Sequence, residues 1–172
     1  ITCAGFGCLS CSRKSLEPDS APVRVRLLGE DLIAFRDTEG RVGLVDRYCP
    51  HRRANLFFGR NEDCGIRCIY HGWKFDVDGN CVDLPSEPPE SRFREKVRLT
   101  AYPTAIKGAV LWAYMGPAEK RGEVPDFGWM DLPESHIYRS RWIQQCNYAQ
   151  AVEGEIDSAH VRFLHSPVAT ND

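Results

Sequence analysis

The sequence predicts a mainly β protein: an antiparallel β-sandwich, followed by the helical start of an α+β region. Three observations carry this. Apolar residues recur at every second position from Val23, turns such as Asp37-Thr38-Glu39-Gly40 and Asp78-Gly79 separate short apolar runs, and the pattern becomes helical after Trp142. With 172 residues, 42% of them hydrophobic, the chain can bury one good core and part of a second.

The N-terminal stretch carries Cys3, Cys8 and Cys11 at the C-x4-C-x2-C spacing of a plant-type ferredoxin loop, without a fourth cysteine or a binding loop of its own. Residues 1–21 are therefore expected to be an unassigned leader and linker. Val23, Val25 and Leu27 then alternate with Arg24 and Arg26, as in a half-buried strand. Gly29-Glu30-Asp31 should turn the chain into a second strand over residues 32–35, and residues 42–45 form a third. Residues 55–58 are apolar, residues 59–63 are expected as a turn, and Cys64 as a small packed residue. Residues 75–82 read as a hairpin turning at Asp78-Gly79. Residues 96–102 and 110–115 should close the domain, with Trp112 and Tyr114 in its core. Gly116-Pro117 ends this first domain, residues 22–117. Residues 118–172 begin with a charged linker and continue into the start of a second domain.

Charge and apolar runs exclude several function classes. A net charge of −2 gives no reason to expect nucleic acid or an anionic membrane as partner. The longest apolar run, residues 108–115, is too short to span a bilayer. No secretory signal opens the chain and the eight cysteines lack a regular disulfide framework, so a cytoplasmic protein is expected. Starting at Ile1 and stopping soon after a motif described below, the sequence reads as truncated at both ends.

Two stretches carry the chemistry. Arg47-Tyr48-Cys49-Pro50-His51-Arg52 is echoed by Arg67-Cys68-Ile69-Tyr70-His71-Gly72-Trp73, with sixteen residues between His51 and Cys68. Two thiolates and two imidazoles suit zinc or an iron-sulfur centre. Zinc modules usually take two cysteines from one loop and two histidines from the other. Here each loop supplies one of each, which favours a cluster with one iron on two cysteines and the other on two histidines.

This pattern resembles the two loops of Rieske [2Fe-2S] proteins. The resemblance implies Cys49 and Cys68 on one iron, His51 and His71 on the other, and loops at the tips of two β-hairpins. Gly72-Trp73 resembles the oxygenase branch. At the positions where the respiratory branch forms a disulfide this chain has Ala54 and Tyr70, and Trp73 replaces a serine that donates to a cluster sulfur. Fewer such donors imply the lower part of the roughly −150 to +300 mV Rieske range. Arg53 stands where the family usually has glycine, so its backbone is in question if that position needs a positive φ.

The helical C-terminal stretch contains Asn147, Gln150, Glu153 and Asp157-Ser158-Ala159-His160-Val161-Arg162-Phe163-Leu164-His165. Asp157 and His160 share a helical face, whereas His160 and His165 lie about 140° apart on an ideal helix. Pro167 disfavours helix at Ser166, and so should let His165 swing toward His160. Two converging histidines suggest half of a 2-His-1-carboxylate Fe(II) site. The D-x2-H-x4-H spacing looks like the mononuclear iron motif of Rieske oxygenase α subunits. By that resemblance His160 and His165 are ligands and the third lies beyond Asp172. Asp157 would be catalytic, bridging a neighbouring subunit's Rieske histidine to an iron-ligating histidine. The fifth histidine, His136, reads as a surface residue.

Residues 23–166 together resemble the phthalate-dioxygenase type of Rieske non-haem iron oxygenase. That implies an NAD(P)H-dependent reductase partner, O2 and an aromatic substrate that is hydroxylated or O-demethylated, and a homotrimer or multiple of trimers. The alternatives are a standalone Rieske ferredoxin, which would end near Gly116, and a structural zinc module.

Overall fold

The computed structural model describes residues 6–9, 16–88, 90–138 and 145–165. The chain divides into two compact units, Thr2–Ile137 and Tyr138–Asp172. In the first, β1 (Phe6–Leu9), β2 (Val23–Leu27), β3 (Glu30–Arg36), β4 (Val42–Asp46), β5 (Arg60–Glu62), β6 (Gly65–Arg67), β7 (Lys74–Phe75), β8 (Cys81–Asp83), β9 (Thr104–Lys107) and β10 (Val110–Tyr114) form three sheets. Their orders are β1-β10-β9, β2-β3-β4 and β5-β6-β7-β8, and every pairing is antiparallel.

The meander β2-β3-β4 is the centre of this unit. Leu28 and Gly29, at φ 50° and 89°, make the tight turn whose twist suits a hairpin, so β3 starts at Glu30, earlier than the sequence suggested. Side chains alternate across β3. Leu32 and Ala34 pack with Val25, Leu44, Leu111, Ala113 and Leu16, while Ile33 and Phe35 pack with Val45, Leu56, Ile66 and Phe75. Both faces of β3 are thus covered. Phe35 lies opposite Gly43 in the β3-β4 register, and its ring fills the space a Cβ there would need, 2.5 Å away.

The expected strands at residues 23–27 and 42–45 are present, and three expectations are corrected. Residues 59–63 are not a turn: Arg60–Glu62 pairs with Gly65–Arg67, and the reversal falls at Asp63-Cys64, with φ 46° and 62°. Cys64 is therefore a half-buried turn residue. Residues 96–102 hold no regular strand. A 3-10 turn at Phe93–Lys96 is followed by single bridges, Asn80↔Arg98 and Val45↔Ala101, and the strand paired with β10 is β9. The segment expected as a leader contributes β1, and Leu16 is buried; Cys3 and Cys11 lie outside the described residues.

Trp112 and Tyr114 are buried, as expected, with Val110 and Met130, and half-buried Val124 packs against them. That packing draws residues beyond Gly116-Pro117 onto β10, so the first unit runs on to Ile137. The second unit holds α1 (Tyr148–Ile156) and α2 (Val161–Leu164). The helix does not run unbroken to His165, because Asp157 leaves helical backbone at φ −76°, ψ 101° and its Oδ1 accepts the Ala159 N–H.

Candidate metal centre

The two ligand loops repeat one hydrogen-bonding plan. In the first, between β4 and β5, the Cys49 N–H donates to the Ala54 carbonyl at 2.9 Å and the Arg53 N–H to the Cys49 carbonyl at 3.0 Å. In the second, between β6 and β7, the Cys68 N–H donates to the Trp73 carbonyl at 2.8 Å and the Gly72 N–H to the Cys68 carbonyl at 3.0 Å. Each plan closes on a residue with positive φ, 58° at Arg53 and 75° at Gly72. Arg53 thus adopts the backbone a glycine would take without strain. Its guanidinium lies 4.7 Å above the Tyr48 ring and 3.9 Å from Asp46.

The loops bring the four candidate ligands together as two pairs. Cys49 and Cys68 are buried at 1% and 4% exposure in the cluster that holds Ile33, Phe35 and Phe75. Burial, with Cys68 alongside, pushes the Cys49 thiol up to about 11. The His51 and His71 rings meet edge to face at 4.5 Å, and Trp73 stacks on His51 at 4.3 Å, 3° from parallel. His51 is half-buried and His71 exposed, with Tyr70 against it at 3.9 Å. Burial, then the neighbouring His71 and Arg52, lower the His51 imidazole.

These features fit a bound metal cluster. Two buried thiols beside one another ionise only if a cation compensates them. The His51 Nδ1 is buried with no hydrogen-bond partner, an expensive state for a ring nitrogen unless it serves as a ligand. The Trp73 Nε1 is likewise buried without a partner.

Sequence reasoning did not assign Arg67 a task. Its Nη1 donates to the Gly72 carbonyl at 2.7 Å and to Asp83 at 2.6 Å, and its Nε donates to Glu62 at 2.6 Å. Pro85 also packs close to Gly72, its Cγ 3.0 Å from where a Cβ would stand. Arg67 is foremost among the partners that hold the Glu62 carboxyl below its ordinary range.

In the second unit His160 caps the start of α2 and His165 its end, and the two rings stand 5.4 Å apart. They converge across the single turn of α2, after the break at Asp157. Pro167 lies outside the described residues. The Asp157 Oδ2 is 3.2 Å from the His160 Nδ1, which leaves the His160 Nε2 for a metal. The Ala159 N–H, then His160, hold the Asp157 carboxyl below its ordinary range. Among the described residues no third carboxylate, thiol or imidazole closes on the histidine pair. What is present fits half of a mononuclear iron site.

Elsewhere, Asp37, Glu39 and Cys64 place ligand-type atoms within 4.8 Å of one another, but Arg41, 2.8 Å from Asp37 and 3.2 Å from Glu39, meets that charge. His136 is exposed.

Comparison with known proteins extends the same picture. Residues 8–103 match the family described as Rieske [2Fe-2S] domain, and residues 113–170 match the one described as LigXa C-terminal domain like. The oxygenase subunit of phthalate 4,5-dioxygenase from Pseudomonas putida is 53% identical over 150 residues, 87% of this chain and 34% of that protein. The oxygenase subunit of 5,5'-dehydrodivanillate O-demethylase from a Sphingobium species is 43% identical over 147 residues, 83% of this chain and 34% of that protein. A crystal structure of dicamba monooxygenase bound to 3,6-dichlorosalicylic acid superposes with a TM-score of 0.76 at 25% identity, over 94% of this chain and 47% of that one. The chain spans about a third of the length of these curated relatives.

Proposed function

Because this chain belongs to the Rieske [2Fe-2S] domain family, we propose that it serves as the electron-relaying part of the oxygenase component of a Rieske non-haem iron oxygenase. The single observation that carries this reading is the joint presence of the two ligand loops and, in the second unit, the Asp157-His160-His165 constellation. A standalone ferredoxin needs only the loops, and the similarity of residues 113–170 to a second domain family speaks against it.

In this reading Cys49 and Cys68 hold one iron of the cluster, His51 and His71 the other, and His160 and His165 supply two ligands of a mononuclear Fe(II). The cluster supplies one-electron storage, and the mononuclear iron a place where O2 is activated. Everything else is the work of the chain. The loops exclude water from the sulfur side and leave the His71 imidazole exposed as the outlet. Asp157 fixes His160 through Nδ1, and at 48% side-chain exposure it remains accessible to a histidine of a neighbouring subunit in a trimer. An NAD(P)H-dependent reductase feeds electrons, and the substrate is an aromatic compound that is hydroxylated or O-demethylated. The names of the phthalate and dehydrodivanillate relatives support that substrate class. No helix among the described residues is long and apolar enough to cross a membrane, and a cytoplasmic setting suits NAD(P)H and reduced thiols.

The test is Asp157→Asn in the full-length enzyme. Both metals stay bound, and turnover with reductase, O2 and substrate falls on the order of 10–100-fold, as when a group that orients a metal ligand is lost. Undiminished turnover would refute the bridging role.

A further inference from the structure

We infer that Arg67 is the positioning residue of the second ligand loop, clamping the Gly72 carbonyl beside His71 and offsetting the Glu62 and Asp83 carboxylates near the cluster. The inference rests on the [2Fe-2S] reading of the loops. Three acceptors from three places in the chain converge on this one guanidinium: Glu62 on β5, Asp83 on β8, and the Gly72 carbonyl of the loop itself. The side chain is 15% exposed, so water competes weakly for these bonds. Planar guanidinium geometry serves several acceptors at fixed angles, which a lysine ammonium on a flexible stem does not do.

Among the described residues no guanidinium donates to the Arg53 carbonyl of the first loop. Its equivalent of Gly72 is Arg53, whose own guanidinium points to Tyr48 and Asp46 at 68% exposure. The clamp is therefore specific to the loop that carries the exposed histidine. Gly72 follows His71 directly and packs close to both Arg67 and Pro85, so movement of its peptide moves the imidazole. Reduction adds one negative charge to the cluster, and a cation held beside the loop stabilises that state. Removing the cation lowers the midpoint potential, and removing a neighbouring carboxylate raises it.

The experiment compares cluster-loaded wild type with Arg67→Gln, Arg67→Lys and Asp83→Asn. It reads midpoint potential by titration, cluster loss to a chelator by visible absorbance, and the line shape of the reduced cluster in electron paramagnetic resonance. Arg67→Gln loses its cluster about 10-fold faster and titrates at a lower potential. Arg67→Lys keeps a potential near wild type, because the charge remains, but loses its cluster at the faster rate. Asp83→Asn leaves Arg67 in place, which keeps the test open should Arg67→Gln fail to fold; its potential rises and its cluster is lost faster. If the wild type loads a cluster and all the variants match it in potential, retention and line shape, the role of Arg67 is overturned. A wild type that takes no cluster sinks the functional reading itself, and this inference with it.

Discussion

At Arg53 a long basic side chain holds φ at 58°, in a loop that otherwise mirrors the one containing Gly72. The left-handed conformation costs a non-glycine residue about 1 kcal/mol. Contacts with Tyr48 and a 3.9 Å approach to Asp46 offset part of this. Arg53→Gly relieves the strain but loses those contacts and frees the unfolded chain, so the change in urea-unfolding stability stays within about 1 kcal/mol. Arg53→Val, β-branched at positive φ, destabilises by about 1–3 kcal/mol in the same assay. Equal stability of the two variants would show that the backbone there is not strained. The four candidate ligands were legible in the sequence because residue type and local spacing identify them. The task of Arg67 was not, because Glu62 and Asp83 reach it through strand pairing that no local pattern encodes.

Among the elements, the β7-β8 hairpin fixes where the second loop returns to the core. Asp76 accepts the Asp78 and Asn80 N–H groups, and Gly79 turns at φ 78°. A Cβ on Gly79 would stand 2.0 Å from the Leu99 carbonyl oxygen, backbone that cannot swing aside. Gly79→Ala therefore destabilises by about 3 kcal/mol or more in urea unfolding. Gly122→Ala, with nothing within 4 Å, stays within about 0.5 kcal/mol of wild type. Comparable losses from both would contradict this packing. Asp78-Gly79 was readable as a turn signal. β5 was not, because Arg60-Asn61-Glu62 shows no apolar alternation and its turn, Asp63-Cys64, uses left-handed residues other than glycine. The break between α1 and α2 was also hidden: Asp157 ends α1 by bonding its side chain to the Ala159 N–H, while helical spacing alone suggested one helix.

For the molecule as a whole, β3 ties the parts of the first unit together. One of its faces packs against β10 and the other against the ligand-bearing sheet, so the buried cysteines share a core with Phe35 and Phe75. The β-sandwich class followed from period-two patterning, whereas the extent of this unit did not. Leu16 and Met130 complete its core from outside residues 22–117, the span that turn signals mark as the first domain. The central claim is that two matching loops hold one [2Fe-2S] cluster, cysteines on one iron and histidines on the other. The most direct measurement is electron paramagnetic resonance of the anaerobically purified, dithionite-reduced chain, with iron and acid-labile sulfide assayed on the same sample. The account predicts a reduced-cluster signal, visible colour in the oxidised form, and two irons with two sulfides per chain. A colourless, signal-free protein that binds zinc at these four residues would contradict it.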